Sequence, residues 1–242
     1  MLFGKSLIIS LIALPLAFSS SILSATTRGV DTLPPFHANY SAKLGLSIGG
    51  EASRQLSRLA DGQWLFAQDA TALFATVHET SRFESDDSQV IPKDYEYLRK
   101  VLGKKRHALL LFDWDKHLVT NNVQDRPWKL AIKPGTLDKL NYQLQLRLDL
   151  LNGKTKLEYL VADGGLIKNY RFEAIGQEQI DTPLGKLNTI KVQRIRGPDD
   201  KRKTLLWFAL DLDLLLVKLS QLDKKGKEFS LVIKELNNKQ KH

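Results

Sequence analysis

The chain has 242 residues, a formal net charge of +9 and no cysteine. Without cysteine we expect neither disulfide bonds nor the lipid anchor of a bacterial lipoprotein, so burial alone must stabilise the fold. A mature domain of about 215 residues is long enough for this, because a single domain of that size buries around 70% of its unfolded surface.

The first 25 residues have the pattern of a secretory signal peptide. Lys5 supplies the positive start, residues 7–18 form an apolar run, and small residues follow, with cleavage expected between Ser21 and Thr27. The run is shorter than the roughly 20 apolar residues of a transmembrane helix. Pro15 and the serines argue against the alternative, an uncleaved membrane anchor. We therefore expect a mature chain, residues 26–242, that is periplasmic and has no transmembrane segment.

Three basic clusters carry the excess charge, at residues 99–106, 194–203 and 224–227. Each cluster falls in a predicted turn, so the simplest interpretation is that these charges only solvate loops. A basic surface also attracts anions. For an exported protein these are lipid head groups, lipopolysaccharide phosphates or acidic wall polymers rather than nucleic acid.

Most of the mature chain is predicted to be β-strand. Residues 36–48 alternate between apolar and polar, the period of a strand with one buried face. Gly49-Gly50 is predicted to end this strand, and Asp61-Gly62 to form a hairpin before a strand at residues 63–77. Roughly a dozen or more such segments, with no repeat or linker, predict one all-β domain with an antiparallel sheet.

Residues 136–153 differ from this pattern. Thr136 is a suitable N-cap and Gly153 a suitable end for a helix, although alternation from Leu140 to Leu150 also suits a strand. The caps, the length and the leucine and glutamine content favour the helix. One helical face would carry Leu137, Leu140, Leu144, Leu148 and Leu151. A single helix laid across a strongly curved sheet would cover its concave face and give an open or half barrel.

The stretch at residues 178–194 contains Pro183, Gly185 and Lys186, which raises the question of a phosphate-binding loop. Such a loop needs several glycines, whose backbone N–H groups close on the anion, and a following helix. Here a single glycine precedes a strand-like alternation. A type II turn in a β-hairpin is therefore predicted.

The same stretch carries a family resemblance. "GQEQIDTPLGKLNTIKVQRIR" and the later "TLLWFALDLDLLLVKLS" show a Gly-x-Glu motif, a Thr-Pro-x-Gly turn, a strand ending in arginine, and a tryptophan strand followed by aspartate. This combination resembles the family called domain of unknown function 3108, with Leu216-Val217 where members often have Pro-Val. The resemblance implies an exported, mostly β protein without an established activity. By fold analogy alone, a curved sheet around a helix is similar to the lipoprotein carriers, which hold acyl chains in their hollow.

No motif predicts catalysis. The sequence contains neither a His-Glu-x-x-His zinc motif nor a Gly-x-Ser-x-Gly elbow, so we expect a protein that is not an enzyme and has no cofactor. Asp113, Asp115 and His117 alternate and could together face a divalent metal, but they fit a charged turn between two strands better. No metal site is predicted.

Aromatic residues on or beside predicted strands are the candidate ligand-binding residues, although core packing is the simpler explanation for them. A strand that is apolar on both faces, with small alanines beside it, favours a cavity. A neighbouring basic turn would contact an anionic head group. The candidate set is Trp64, Phe66, Phe74, Tyr95, Tyr97, Trp114, Trp207, Lys104, Lys105 and Arg106.

The sequence thus predicts a non-catalytic envelope protein that binds an apolar or amphiphilic, lipid-like ligand. The alternative is a structural or interaction protein that binds another envelope protein through a sheet edge or an apolar patch. A hydrolase of envelope polymers has no local support. A cavity larger than about 300 Å³ lined by the named aromatics would favour the first hypothesis.

Overall fold

The computed structural model describes residues 27–45 and 48–237. The predicted signal peptide lies outside these residues, as do Leu46 and Ser47 of the first predicted strand. Of the helices within this part of the chain, none combines the length and the apolar character needed to span a bilayer.

Within the described residues the fold has fourteen strands and one α-helix, α1 (Asn141–Leu151). The strands are β1 (Phe36–Leu44), β2 (Ile48–Arg58), β3 (Trp64–Ala72), β4 (Ala75–Asp86), β5 (Gln89–Val101), β6 (Lys104–Asp113), β7 (Leu118–Val123), β8 (Arg126–Ala131), β9 (Leu157–Asp163), β10 (Leu166–Thr182), β11 (Gly185–Ile195), β12 (Lys203–Ala209), β13 (Leu215–Leu222) and β14 (Glu228–Asn237).

All fourteen strands belong to one antiparallel sheet. Its order is β8-β7-β6-β5-β4-β3-β2-β1-β14-β13-β12-β11-β10-β9. Consecutive strands are therefore neighbours in the sheet, except β8 and β9, which form its two edges, and the first strand, β1, pairs with the last, β14. The sheet is curved, but its edge strands β8 and β9 do not pair, so it does not close into a barrel. Helix α1 packs against its concave face. The predicted fold class, an all-β open barrel with one helix, is confirmed.

The first predicted strand is confirmed, but its end is not. Phe36, Ala38, Tyr40 and Ala42 are buried and alternate with more exposed residues. The predicted turn at Gly49-Gly50 is wrong: both glycines lie within β2, and Gly50 pairs with Ala42. Leu44 is opposite Ile48, so β1 and β2 are already paired before the glycine pair is reached.

The helix begins later than predicted. Thr136 does not cap it; the Thr136 hydroxyl instead donates to the Lys133 carbonyl at 2.7 Å. Asp138 takes the capping role, since its Oδ1 accepts hydrogen bonds from the backbone N–H groups of Leu140 and Asn141 at 2.8 and 2.7 Å. A buried aspartate two residues further along therefore fixes the start of α1.

The predicted end of the helix at Gly153 is confirmed. The N–H of Lys154 donates to the Asp149 carbonyl at 2.9 Å, and that of Gly153 donates to the Leu150 carbonyl at 3.1 Å. This is the Schellman pair of bonds, and it needs a left-handed residue between them. Gly153 supplies that conformation with φ at 68°.

Helix α1 is buried on nearly all sides, including its polar residues. Gln145 is held at both ends, because its Nε2 donates to the Ser88 carbonyl and its Oε1 accepts from the Val90 N–H, each at 2.8 Å. The Arg147 Nε donates to the Asp213 carbonyl at 2.8 Å. Buried polar groups of a helix must find such partners, and here the sheet supplies them.

The up-and-down order of the strands collects the turns at two ends of the sheet. We call one end the helix end, because the β4–β5 and β12–β13 connections there bond to α1 through Ser88 and Asp213. The opposite end carries all three basic clusters, at residues 99–106, 194–203 and 224–227, and we call it the basic end. An 11-residue helix is about 17 Å long, whereas a strand of 13 residues spans over 40 Å. The helix therefore covers only part of the concave face.

Residues 132–140 connect the two edges of the sheet. Leu137 continues beside β9, where its N–H donates to Leu160 and its carbonyl accepts from Ala162, both at 2.8 Å. Trp128 of β8 lies against Gly165, where a Cβ would come within 2.4 Å of the indole ring. The edges therefore approach each other through side-chain and loop contacts.

Asp138 also joins the helix start to the sheet. The Ser81 hydroxyl of β4 donates to its Oδ2 at 2.6 Å, and Asn141 donates to the same Ser81 oxygen at 2.7 Å. Burial raises the pKa of Asp138 to about 6, although its hydrogen bonds from Ser81, Asn141 and Leu140 act in the opposite direction.

This raised pKa predicts a pH dependence of stability. The unfolded aspartate has a pKa near 3.9, so between about pH 4 and pH 6 the folded chain binds the proton more tightly. The contribution of Asp138 is then complete below pH 4 and falls by roughly 3 kcal/mol as the pH rises past 6. Asp138→Asn keeps an acceptor oxygen and removes the titration. Urea unfolding from pH 4 to 7.5 should show a shallower fall in the variant, and identical slopes would contradict the assignment.

Candidate functional site

A cavity of about 500 Å³ opens on the concave face at the basic end, beyond the first turn of α1. We call it the basic-end cavity. Its walls come from β3–β5 on one side and β10–β14 on the other. Its apolar and aromatic lining includes Val77, Leu219, Phe229, Leu231, Tyr142 and Tyr170.

Basic side chains form the rim of this cavity. Arg194 and Arg196 lie at the end of β11, and the loop after them returns Arg202 and Lys203 to the start of β12. Lys227 approaches from the β13–β14 turn. Strand parity explains the inward direction, because Arg194 follows the fully buried Val192 two residues later on the same face of β11.

Arg196 is largely buried, with 12% of its side chain exposed. Its Nη2 donates to Thr204 Oγ1 at 3.0 Å, whereas Nε and Nη1 are buried and find no hydrogen-bond acceptor within the described part of the chain. Burial lowers the pKa of Arg196, and the positive charges of Arg194 and Arg202 lower it further. Like charges held together in this way favour an anion between them.

Among the rim arginines, only Arg202 forms a close ion pair with a carboxylate of the described part of the chain. Arg202 donates several hydrogen bonds to Asp200, and these lower the pKa of Asp200. Asp200 lies 3.8 Å from Arg196 as well. Among residues 27–45 and 48–237, no carboxylate forms an ion pair with Arg194, Lys203 or Lys227, so the rim keeps an excess of positive charge.

Arg194 connects the basic rim to the aromatic wall. Its guanidinium lies 3.2 Å from the ring centroid of Tyr170, and the Tyr170 hydroxyl donates to Asp163 at 2.9 Å. Tyr170 in turn contacts Tyr142 of α1 edge to face, with ring centroids 5.1 Å apart. The cavity thus passes from cations at its opening to aromatic and aliphatic groups inside.

A second cavity, of about 310 Å³, lies next to the first between β5–β8 and the β9–β10 turn. We call it the aromatic cavity; Tyr97 and Lys139 line both cavities. Its lining includes Tyr95, Tyr97, Leu110, Trp128, Arg99, Arg106 and Asn121. The Nδ2 of buried Asn121 has no hydrogen-bond partner among the described residues.

Glu79 is an acidic residue within the basic-end cavity. Its Oε2 accepts a hydrogen bond from the Tyr95 hydroxyl at 2.5 Å, and both burial and this carboxylate raise the pKa of Tyr95. Glu79 therefore fixes an aromatic side chain of the neighbouring cavity. The cations are at the rim, on the opposite wall.

The structure brings three of the predicted site residues together. Tyr95, Tyr97 and Arg106 all line the aromatic cavity. Lys104 and Lys105 belong to the same hairpin but are exposed and do not line it. Whether any of these residues binds a ligand stays a prediction.

Trp64 and Phe66 lie elsewhere, in the core of the concave face. Trp64 stacks on Phe83 with ring centroids 6.5 Å apart, and Phe66 lies under the guanidinium of Arg54 at 5.0 Å. Phe74 does not share their strand, because residues 63–77 are divided by a turn at residues 73–74. Phe74 is exposed in that turn and outside both cavities.

Trp114 and Trp207 are also outside the two cavities. Trp114 lies in the β6–β7 turn at the helix end and donates to the Pro92 carbonyl at 2.8 Å. Trp207 contacts the ammonium groups of Lys191 and Lys218 at 5.1 and 4.6 Å and donates to Glu178. Trp207 is buried and belongs to the same hydrophobic cluster as its β12 neighbours Leu206 and Phe208.

Sequence reasoning missed the rim arginines as site residues, because their cluster was interpreted as loop charge. The signal was present in the parity of β11, because Val192 and Arg194 share one face of the strand and Arg196 follows directly after its last residue, Ile195. Tyr142 was also missed, because it lies on the helix between the leucines that defined the predicted apolar face.

Two further sequence features have structural explanations. Residues 178–194 form the predicted hairpin, but its turn is not type II. Thr182 is opposite Gly185, so Leu184 is the third residue of the turn, and Leu184 lacks the positive φ that type II requires at that position; Gly185 has φ at 103°. Asp113 ends β6 and accepts hydrogen bonds from Lys116, which makes the surrounding segment a charged turn. In the described ranges, no three His, Asp or Glu side chains are grouped as metal ligands.

Residues 64–232 match the family described as "Protein of unknown function (DUF3108)". The chain belongs to this family. The match includes the rim arginines and most residues of both cavities. No curated protein sequence matches the chain.

One solved structure supports the fold of this DUF3108 protein. A β-barrel-like protein of domain of unknown function DUF1849 from Brucella abortus is similar, with a TM-score of 0.58, 11% identity and coverage of 85% of this chain and 98% of that one. Weaker similarities exist to a lipoprotein described as putative from Parabacteroides distasonis (TM-score 0.32, 11% identity, 84% and 95% coverage) and to the Pseudomonas aeruginosa MucA/MucB complex (0.34, 10%, 86% and 52%). The chain spans about half of the matched chain in that complex.

The different environments of two candidate aromatics predict different effects on stability. Trp64→Ala should lower the free energy of unfolding by about 3–5 kcal/mol, because Trp64 is buried against Phe83. Tyr97→Ala should cost less than about 1.5 kcal/mol, since Tyr97 is only partly buried beside open cavity space. Urea denaturation of both variants measures this, and equal costs would contradict the assignment of Trp64 to the core.

Proposed function

We propose that this DUF3108 protein is a non-catalytic binding protein of the cell envelope that holds an anionic amphiphile in the basic-end cavity. The ligand class is a molecule with one acyl chain and a phosphate or carboxylate head group. The observation that carries the proposal is the arginine cluster of Arg194, Arg196 and Arg202 directly beside an apolar wall.

The head group would bind at the rim. Arg196 offers buried N–H donors that find no acceptor among the described residues, and Arg194 lies at the same opening. A guanidinium binds phosphate or carboxylate through two parallel hydrogen bonds, which are stronger than neutral ones. An anion there would also relieve the repulsion between the rim arginines.

The acyl chain would lie on the inner wall. Leu219, Leu231 and Phe229 offer an apolar surface, and Tyr97 leads from there towards the aromatic cavity. A volume of about 500 Å³ is within the usual range for small-molecule sites. Each CH₂ group buried contributes about 0.8 kcal/mol, so chain length should control affinity.

An envelope location is part of the proposal. The predicted signal peptide at residues 1–25 supports export, and anionic amphiphiles such as lysophospholipids belong to membranes that border the periplasm. The shared fold with the β-barrel-like DUF1849 protein agrees with a hollow architecture and does not identify a ligand.

A protein partner at the sheet edge has less support. The edge strand β8 pairs with β7 and exposes most of its side chains. It carries Pro127 and Lys129, and proline and lysine on an edge strand hinder the addition of another strand. Edge pairing with another envelope protein is therefore the weaker alternative.

Titration of the mature chain with dodecyl phosphate, below its critical micelle concentration, tests the proposed function. Arg196→Gln should weaken binding by about tenfold or more, because it removes charge-assisted hydrogen bonds to the head group. The matched control is Arg171→Gln, at an exposed position of β10 away from both cavities, which should bind as the unaltered chain does. Calorimetry supplies the affinities, and circular dichroism confirms that both variants are folded.

Chain length provides the second half of the test. Dodecyl phosphate should bind at least about tenfold more tightly than octyl phosphate, since four additional CH₂ groups contact the apolar wall. Inorganic phosphate should bind weakest of the three. Equal affinities for all three ligands, or an unchanged affinity in Arg196→Gln, would contradict an amphiphile site at the rim.

A further inference from the structure

Three large apolar side chains are exposed at two adjacent turns of the basic end. Leu73 and Phe74 form the β3–β4 turn and are 74% and 73% exposed, and Leu102 of the β5–β6 turn is 73% exposed. The Leu102 N–H donates to the Phe74 carbonyl at 3.1 Å, so the two turns are held side by side. We call these three residues the apolar tips.

The fold does not require leucine at these positions. Leu73 and Leu102 have φ angles of 46° and 47°, in the left-handed region that glycine and asparagine adopt more easily. A side chain that is both exposed and conformationally unfavourable contributes little to stability. The apolar tips therefore point to an interaction outside the chain.

Charge surrounds the tips and is distributed unevenly over the molecule. Arg99, Lys100, Lys104, Lys105 and Arg106 flank Leu102 in the same hairpin. The other two basic clusters lie at the same end, in the β11–β12 and β13–β14 connections. The basic-end turns also contain Asp125, Asp199, Asp200 and Asp223, but lysines and arginines outnumber them there. In the turns of the helix end, aspartates outnumber the cations: these turns contain Asp61, Asp87, Asp115, Asp211 and Asp213, beside Lys116.

We propose that the basic end docks onto the anionic surface of a lipid bilayer, with Leu73, Phe74 and Leu102 entering the interface. Apolar side chains that project from turns, within a broad basic surface, match the two attractions that such a surface offers. An acidic protein partner fits less well, because the apolar groups are at projecting tips rather than in a groove or a flat patch.

Docking in this orientation would direct both cavity openings at the bilayer. Ala70 and Val77, paired two residues before the β3–β4 turn, line the basic-end cavity. Arg99 and Arg106, paired near the β5–β6 turn, line the aromatic cavity. The apolar tips line neither cavity, so bilayer docking goes beyond the proposed ligand binding and does not depend on it.

The absence of cysteine allows a site-specific test in the otherwise unaltered mature chain. Phe74→Cys is labelled with the environment-sensitive fluorophore NBD and mixed with vesicles of phosphatidylglycerol and phosphatidylcholine. A blue shift with increased emission is expected, with little change for pure phosphatidylcholine. The control is Leu184→Cys with the same label, exposed by 39% in the β10–β11 turn at the helix end, which should not respond.

Vesicle co-sedimentation gives the affinity. The double variant Phe74→Ser and Leu102→Ser should bind the anionic vesicles at least about tenfold more weakly, whereas Leu210→Ser at the helix end should bind as the unaltered chain does. An unshifted label at position 74 in folded protein, an equal shift at position 184, or unchanged binding of the double variant would overturn the proposal. Dodecyl phosphate titration of the same double variant should stay normal, which separates a failure of docking from a failure of ligand binding.

Discussion

The architecture depends on one helix that is shorter than the sheet it must cover. A curved sheet that is not closed needs another element on its concave face, and among the described residues α1 is the one α-helix. Its 11 residues cover the helix end and stop near the middle of the strands, where Asp138 and Ser81 join it to β4. The remaining concave surface lies in front of the basic turns. The two cavities follow from this mismatch in length.

Buried cations occur on both sides of that boundary, but in different surroundings. Under the helix, Arg54 donates to Gln143 at 2.9 Å and Arg147 donates to the Asp213 carbonyl, around a gap of only about 20 Å³. Burial lowers the pKa of Arg147 to about 10. Protein oxygens and aromatic rings contact both arginines, although Arg54 Nε and Arg147 Nη1 have no acceptor among the described residues. These arginines are part of the core. At the opening, Arg194 and Arg196 have similar charge but face about 500 Å³ of free volume.

Sequence patterns were sufficient for the fold class, the first strand, the hairpin at residues 178–194 and the end of the helix, because each depends on local alternation or turn chemistry. They placed the helix start at Thr136 instead of Asp138, since the bond to Ser81 that secures Asp138 connects residues 57 positions apart. Only part of the candidate site could be predicted from the sequence. Tyr95 and Tyr97 were predicted from their shared strand face and Arg106 from the neighbouring basic turn. The Arg194 cluster became significant only once strand pairing placed it across from β3–β5. Phe74 looked like a strand residue because nothing in "ATALFAT" marks a turn.

The most direct test of this account is a crystal structure of the mature chain with dodecyl phosphate. The account predicts the phosphate within about 3 Å of the Arg196 guanidinium, the alkyl chain on Leu219 and Leu231, and α1 in its present position. A phosphate bound to Arg54 or Arg147, with α1 displaced from the concave face, would contradict it. In that case the ligand would replace the helix in the core, and the opening at the basic end would be only its entrance.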